Sequence, residues 1–309
     1  MHKIAWIFPG QGAQYVGMGR DVYEHNRQGR ALYDKANALL GYSLTEILFH
    51  GPKEKLIETQ YSQLAIYVMS LALVEEFRVH RPHIVPFVCA GLSLGEYTAL
   101  VAAGKLSFEE GLCLVEKRAK LMQDACKTSQ GSMRVVLGLS EKEIAEVLQT
   151  CSSYVAIANL NCPGQTVIAG TISGLEEAAA ALKHAGAKRI LPMDVSGAFH
   201  SELMAGARDG LAVALQHIVL QDSPIKIVMN YSGDFVETID EMKEHLLRQV
   251  SSPVYWQRGI EAMYRAGVDT FIEIGCGKTL QGMNKRILDK ATTYSIETLK
   301  DLQQEMFDE

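Results

Sequence analysis

Short apolar runs separated by longer stretches of helical periodicity set the rhythm of the first 125 residues. Ile4-Ala5-Trp6-Ile7-Phe8, closed by Pro9-Gly10, and Val85-Pro86-Phe87-Val88-Cys89-Ala90 are short and almost wholly apolar, and read as buried strands. Phe108–Ala125 carries apolar residues at helical spacing and predicts a helix. Strands alternating with helices imply a mostly parallel sheet covered by helices. Loops at the carboxyl ends of such strands line the crevice where ligands bind, and Phe8-Pro9-Gly10-Gln11-Gly12 falls there.

Between 126 and 197 the rhythm changes to strand 132–138, helix 140–150, strand 153–159, strand 165–169, helix 173–185 and strand 188–194. This β-α-β-β-α-β order is the ferredoxin-like arrangement. Beyond it a helix from about Ser201, a strand at Ile225–Asn230, two helices, a strand at Phe271–Ile274 and a last helix complete the main sheet's layers. The expected fold is therefore α/β, with a large parallel-sheet domain from 1–125 and 198–309 and a small domain at 126–197. The polar, acidic tail Asp301–Glu309 is expected to fray.

Composition narrows the function. At 309 residues, 48% hydrophobic and 21% charged, the chain can bury a large core. No apolar run approaches the roughly 18 residues of a membrane span. The N-terminal apolar stretch is too short for a signal peptide. A net charge of −6 argues against nucleic acid as a partner, and an acidic partner would need a local basic patch. The six cysteines form no C-x-x-C pair, which suits reduced thiols in the cytoplasm. There is no H-E-x-x-H, and His80 and His83 flank Arg81-Pro82 in an expected loop, so no metal is expected. Gly275-Cys276-Gly277-Lys278-Thr279 matches the tail of a phosphate-binding loop, but Ile272 stands where the pattern requires Gly; this stretch is a strand turning into a helix.

Gly91-Leu92-Ser93-Leu94-Gly95, placed between a strand and a helix, carries the chemistry. A strand that turns sharply into a helix thrusts a hydroxyl into a cleft, and glycine on either side removes the Cβ atoms that would clash. Ser93 is thus a candidate nucleophile; the alternative is a plain helix N-cap. A serine nucleophile needs a base, and His200, on a small-residue loop opening a helix, is the candidate. The positive end of that helix would keep the imidazole neutral; the alternative is an ordinary helix-entry histidine. Asp194 is the only acid near His200, but it sits in an expected strand, which leaves a carbonyl elsewhere to orient the ring. Backbone N–H groups of Leu94 and Gln11 are placed to meet an oxyanion. Arg118 has only apolar helical neighbours in Leu114, Val115, Leu121 and Met122, and so lies on the buried side. A buried guanidinium must find an anion or carbonyls, leaving open an internal salt bridge or a ligand's carboxylate.

Taken together, Phe8-Pro9-Gly10-Gln11-Gly12, Gly91-Leu92-Ser93-Leu94-Gly95-Glu96-Tyr97, Lys117-Arg118-Ala119, Asn159-Leu160-Asn161-Cys162-Pro163-Gly164-Gln165, Gly197-Ala198-Phe199-His200-Ser201 and Glu273-Ile274-Gly275 resemble the malonyl-CoA:acyl-carrier-protein transacylases over nearly the whole chain. The resemblance implies an α/β-hydrolase-like domain carrying a ferredoxin-like one. It also implies transfer of malonyl from malonyl-CoA to the phosphopantetheine thiol of acyl carrier protein through a malonyl-serine, in cytoplasmic fatty-acid synthesis, by a monomer without cofactor that releases coenzyme A.

On the same resemblance Ser93 is the nucleophile, His200 the base, Gln11 and Leu94 the oxyanion hole, and Arg118 the grip on malonyl's carboxylate. Gln249 is implied to orient His200 through its backbone carbonyl, and Gln63, Asn161 and Phe199 to stand beside the site. Phe199 matches the malonyl-selecting form of its motif. Leu92 departs from the family's usual His, Leu64 from a Pro after Gln63, and Cys276 from a Pro. Carrier proteins are acidic, so Lys188-Arg189 and Lys285-Arg286 are expected docking sites. A discrete polyketide malonyltransferase, a serine thioesterase or esterase, and a non-catalytic scaffold are the competing readings.

Overall fold

The computed structural model describes residues 3–303 and holds two sheets. In chain order the strands are β1 Lys3–Phe8, β2 Val88–Gly91, β3 Gly131–Leu137, β4 Val155–Cys162, β5 Gln165–Thr171, β6 Arg189–Pro192, β7 Lys226–Met229, β8 Asp234–Val236, β9 Val268–Ile274 and β10 Thr292–Ile296. The larger sheet runs β10-β9-β1-β2-β7-β8, parallel throughout except that β8 turns back antiparallel on β7. The fold is α/β, as expected.

Alternation along the central strands feeds two cores. Trp6 and Phe8 of β1 point to one face and pack with the helices Thr59–His80 and Phe108–Thr128, while Ala5 and Ile7 point to the other, against Trp256, Ile260 and Leu280. Burial on both faces is why these strands read as continuous apolar runs. The first strand sits between β9 and β2, where the strand order reverses, and the loops following β1 and β2 therefore open into one crevice.

The second sheet, β4-β5-β3-β6, is antiparallel and backed by the helices Glu141–Leu148 and Ile172–His184 over a separate core of Val136, Ile144, Ile168, Leu175 and Leu182. Its order and connectivity are those of the ferredoxin-like unit. The strand Asn159 bridges Val254, and Leu160 N–H donates to the Val254 carbonyl at 2.9 Å, so the sheet is stitched to the rest of the chain.

Several boundaries differ from expectation. The expected strand at 188–194 stops at Pro192, leaving Asp194 beyond its end. Pro86 has no N–H to give, and β2 starts only at Val88. The expected helix at Ser201 opens as a single 3-10 turn, Glu202–Met204, and becomes α-helical from Ala205. Two strands are additional to those expected, β8 and β10. Both are edge strands, the first three residues long and the second polar (Thr-Thr-Tyr-Ser-Ile), so neither carries an apolar run. Of the tail, Leu299–Leu302 forms a helical turn, and 304–309 lie outside the described residues.

The strand-to-helix turn after β2 leaves no room for side chains at its flanks. A Cβ on Gly91 would overlap the Gly95 carbonyl, and one on Gly95 would overlap the Phe8 carbonyl. Gly91→Ala is expected to lose more than about 3 kcal/mol of stability by urea unfolding, since neither backbone can yield without moving a central strand. Stability within about 1 kcal/mol of the parent would show that strand and helix have slack there.

Candidate active site

β2 ends at Gly91, the chain reverses over Leu92-Ser93-Leu94, and the helix Gly95–Ala102 begins. Ser93 has φ 53°, a left-handed conformation that a non-glycine residue holds only under outside constraint. The constraint comes from Asn230, just past β7. Its Oδ1 accepts the Ser93 N–H at 2.6 Å while its Nδ2 donates to the Gly91 carbonyl at 2.7 Å. The helix has no side-chain cap, so the N-cap alternative for Ser93 does not hold. The hydroxyl instead faces His200 Nε2 at 2.8 Å.

His200 also has positive φ, at 57°, and is buried. Its Nδ1 lies 2.7 Å from the Gln249 carbonyl. A carbonyl can only accept, so Nδ1 carries the proton and Nε2 presents a lone pair to Ser93. Burial pushes the imidazole down from 6.5 to about 4, the Arg118 charge adds to this, and the Gln249 carbonyl opposes it. Burial is thus the first cause of its neutrality, one that the sequence reading did not name. Asp194 is exposed, and the ring takes a backbone carbonyl in its place.

Arg118, on the helix Phe108–Thr128, is 1% exposed. Its Nη1 donates to Gln63 Oε1 at 2.6 Å, and its Nη2 donates to Gln249 Oε1 at 2.9 Å and Ser93 Oγ at 3.0 Å. The guanidinium also lies over the Tyr97 ring, 5.3 Å from its centroid. Every one of these acceptors is neutral, so the salt-bridge alternative finds no support among the described residues. A buried cation bound only by amides and a hydroxyl has electrostatic capacity left for an anion. It touches the serine hydroxyl directly.

The cleft at this hydroxyl is a cavity of about 260 Å³, lined by Gly10, Gln11, Gln63, Asn161 and Phe199, with apolar walls from Leu92, Met122, Met133, Met193 and Val195. Gln63 Nε2 reaches Gln11 Oε1 at 3.5 Å, and Gln11 Nε2 donates to Thr59 Oγ1 at 3.3 Å. Among the described residues neither the Gln11 nor the Leu94 backbone N–H donates to another protein group, which leaves both free for a ligand oxygen. Asn161 Oδ1 is buried without a protein partner. Gln63 and the following Leu64 lie inside the regular helix Thr59–His80, from which Gln63 Oε1 accepts the Arg118 hydrogen bond.

Of the residues expected at the site, Ser93, His200, Gln249, Arg118, Gln63, Gln11, Asn161, Phe199 and Leu94 lie together. Lys188 and Arg286 meet elsewhere, at a surface recess with Gly138, Ser140 and Gly164, while Arg189 joins Arg134 and Lys183 at another and Lys285 is exposed.

Two residues at the site were not singled out from the sequence. Asn230 follows an apolar strand of the parallel sheet, the position at which a polar residue faces the crevice. Glu96 is a carboxyl in an otherwise apolar helix entry. It accepts from the Asn230 backbone N–H and, at 2.5 Å, from Gln249 Nε2. Burial pushes it up to about 8, against the pull of the Asn230 N–H, the Arg118 charge and the Gln249 amide.

Residues 5–306 match the acyl transferase domain family. The chain is 40% identical to the malonyl CoA-acyl carrier protein transacylase of Bacillus subtilis, over 96% of this chain and 94% of that protein. It is 39% identical to the Haemophilus influenzae protein of the same name, over 96% of each chain. Among solved structures, the Clostridium perfringens malonyl CoA-acyl carrier protein transacylase superposes with a TM-score of 0.92 at 35% identity, covering 97% of this chain and 95% of that one. A malonyl-transacylase in complex with a type II PKS acyl-carrier protein gives 0.93 at 36% identity, covering 97% and 98%.

A base must be neutral to accept a proton, so acid removes the reactive form only near the imidazole's own pKa. Labelling of Ser93 by a fluorophosphonate is expected to keep its rate from pH 7 to about pH 5 and to fall below that. An acid limb centred at the ordinary 6.5 would show that the ring is not shielded.

Proposed function

The chain belongs to the acyl transferase family, and on that footing we propose that it moves malonyl from malonyl-CoA to the phosphopantetheine thiol of acyl carrier protein, in cytoplasmic fatty-acid synthesis. The observation that supports malonyl in particular is Arg118: a buried guanidinium with neutral acceptors, 3.0 Å from the serine hydroxyl. A malonyl group on Ser93 carries a free carboxylate two carbons from the ester oxygen, and a two-pronged guanidinium fits a carboxylate. A simple esterase or thioesterase has no use for such a cation in its acyl pocket.

The steps follow from the contacts. His200 Nε2 takes the Ser93 proton as Oγ attacks the thioester carbonyl. The oxyanion is received by the Gln11 and Leu94 N–H groups. Collapse breaks the carbon–sulfur bond, and the imidazolium returns its proton to coenzyme A, which leaves as thiol. In the second half the carrier-protein thiol gives its proton to His200, attacks the malonyl-serine ester, and the serine leaves with that proton. Gln249 keeps the ring in the required tautomer through both halves. Malonyl-CoA is substrate and coenzyme A product, and none of these steps calls on a metal or a further cofactor.

The segment 126–197 is proposed as the small domain and the rest as the catalytic domain, acting as a monomer. The recess holding Lys188 and Arg286 adjoins the cleft: Gly164 lines the recess and Gln165 the cleft, and Met283 of the cleft lies one helical turn from Arg286. Positive charge in a recess adjoining the cleft supports docking of an acidic carrier protein there.

Mixing the protein with malonyl-CoA is expected to add one malonyl by intact mass, lost in Ser93→Ala; no adduct would favour the scaffold reading. Arg118→Ala is expected to lower malonyl loading by about two orders of magnitude or more while acetyl loading falls less. Equal losses for the two acyl groups would contradict the carboxylate grip. Reversing Lys188 and Arg286 together to Glu is expected to raise KM for carrier protein about fivefold or more and to spare malonyl-CoA kinetics. An unchanged carrier-protein KM would move docking elsewhere.

A further inference from the structure

Gln249 sits between the two groups on which the chemistry depends. Its backbone carbonyl takes the His200 Nδ1 proton at 2.7 Å, and its side-chain Oε1 takes Arg118 Nη2 at 2.9 Å. The amide has no freedom of orientation: guanidinium only donates and the Ser93 carbonyl, 2.8 Å from Nε2, only accepts. The remaining proton of Nε2 goes to Glu96 Oε2 at 2.5 Å, and the other Glu96 oxygen accepts the Asn230 backbone N–H. Asn230 in turn holds the Ser93 N–H and the Gly91 carbonyl. Glu96 is 2% exposed and does not line the cleft, yet each of its side-chain oxygens ends one branch of this network.

We propose that Glu96 is a positioning residue that, through Gln249 and Asn230, fixes Arg118, His200 and the Ser93 turn in one arrangement. Its requirement is chemical as well as steric. Both neighbours are donors, so the position needs two acceptors, which the carboxylate supplies in full above its pKa of about 8 and the protonated carboxyl only in part. A glutamine there has one acceptor and one donor, and must set its NH₂ against either the Gln249 amide or the Asn230 N–H. In the first case Gln249 turns a donor toward Arg118; in the second Asn230 shifts and the serine turn with it. The effect on malonyl rests on the transfer reading above, whereas the effect on the serine and imidazole does not.

Two readouts separate these. Glu96→Gln is expected to lower malonyl loading about tenfold or more, reduce the preference for malonyl over acetyl, and slow fluorophosphonate labelling of Ser93 about threefold or more. Glu96→Asp, which keeps two acceptor oxygens, is expected to lose less in each measurement. In a Gln249→Ala background, which retains the backbone carbonyl, Glu96→Gln is expected to change the malonyl preference by less than about twofold, because the path to Arg118 is already cut. Full additivity of the two substitutions would overturn the proposal. So would Glu96→Gln with parental loading and labelling, or a loss in which Glu96→Asp fares no better and the malonyl preference is unchanged. If Glu96→Gln yields no folded protein, Glu96→Asp alone carries the test, and a lower melting temperature with unaltered malonyl preference overturns it. Parental protein that takes the fluorophosphonate but no malonyl would sink malonyl transfer and leave the labelling rates to decide on Glu96.

Discussion

One buried positive charge organises the site. Arg118 lies out of water with no carboxylate among the described residues as a direct partner, and everything around it is arranged to make that tolerable. Two glutamine oxygens and a hydroxyl accept from its Nη1 and Nη2, its Nε is left without a partner among the described residues, and an aromatic face lies beneath it. An isolated ion in such surroundings is costly, and replacing the arrangement with apolar residues would be the simpler route to stability. Its persistence is intelligible when the missing counter-ion arrives with the substrate. The same charge helps hold His200 neutral, so the proposed acyl selection and the proposed proton acceptance draw on one electrostatic source.

Backbone strain is the second ingredient. Ser93 and His200 are the two non-glycine residues with positive φ among those described, and they face one another across a hydrogen bond. Each is held by groups remote in sequence: Ser93 by Asn230, His200 by the carbonyl of Gln249. Such conformations persist only where the surroundings over-determine them. Here the surroundings are the carboxyl ends of β2 and β7 together with the helix Ile239–Gln249, which makes the proposed nucleophile and base a product of the large sheet's topology.

Much of this was legible in the chain. The elbow could be read because its glycines answer a steric demand that few other residues meet, and Arg118 because a charge amid apolar helical neighbours has few destinations. The βαββαβ unit was legible in the alternation of its periods. The edge strands β8 and β10 were not, since an edge needs no continuous apolar run. Burial as a cause of His200's neutrality was not legible for a similar reason: it is a property of assembled elements, and a local helix dipole is all that sequence neighbours reveal. Glu96 and Asn230 escaped attention because their partners lie more than 130 positions away. No periodicity encodes such pairings. The orienting role of Gln249 is carried by a main-chain oxygen, which any residue at that position possesses, so its side chain gave no warning and only the family resemblance did.

The stitch between Val254 and the strand carrying Asn159 and Leu160 has a mechanical meaning. That strand forms one wall of the cleft, and five residues before Val254 hangs the carbonyl that steers the imidazole. Wall and carbonyl are thus neighbouring points on a single short lever. The backbone that fixes the cleft's wall is tied, five residues along the chain, to the backbone that orients the ring.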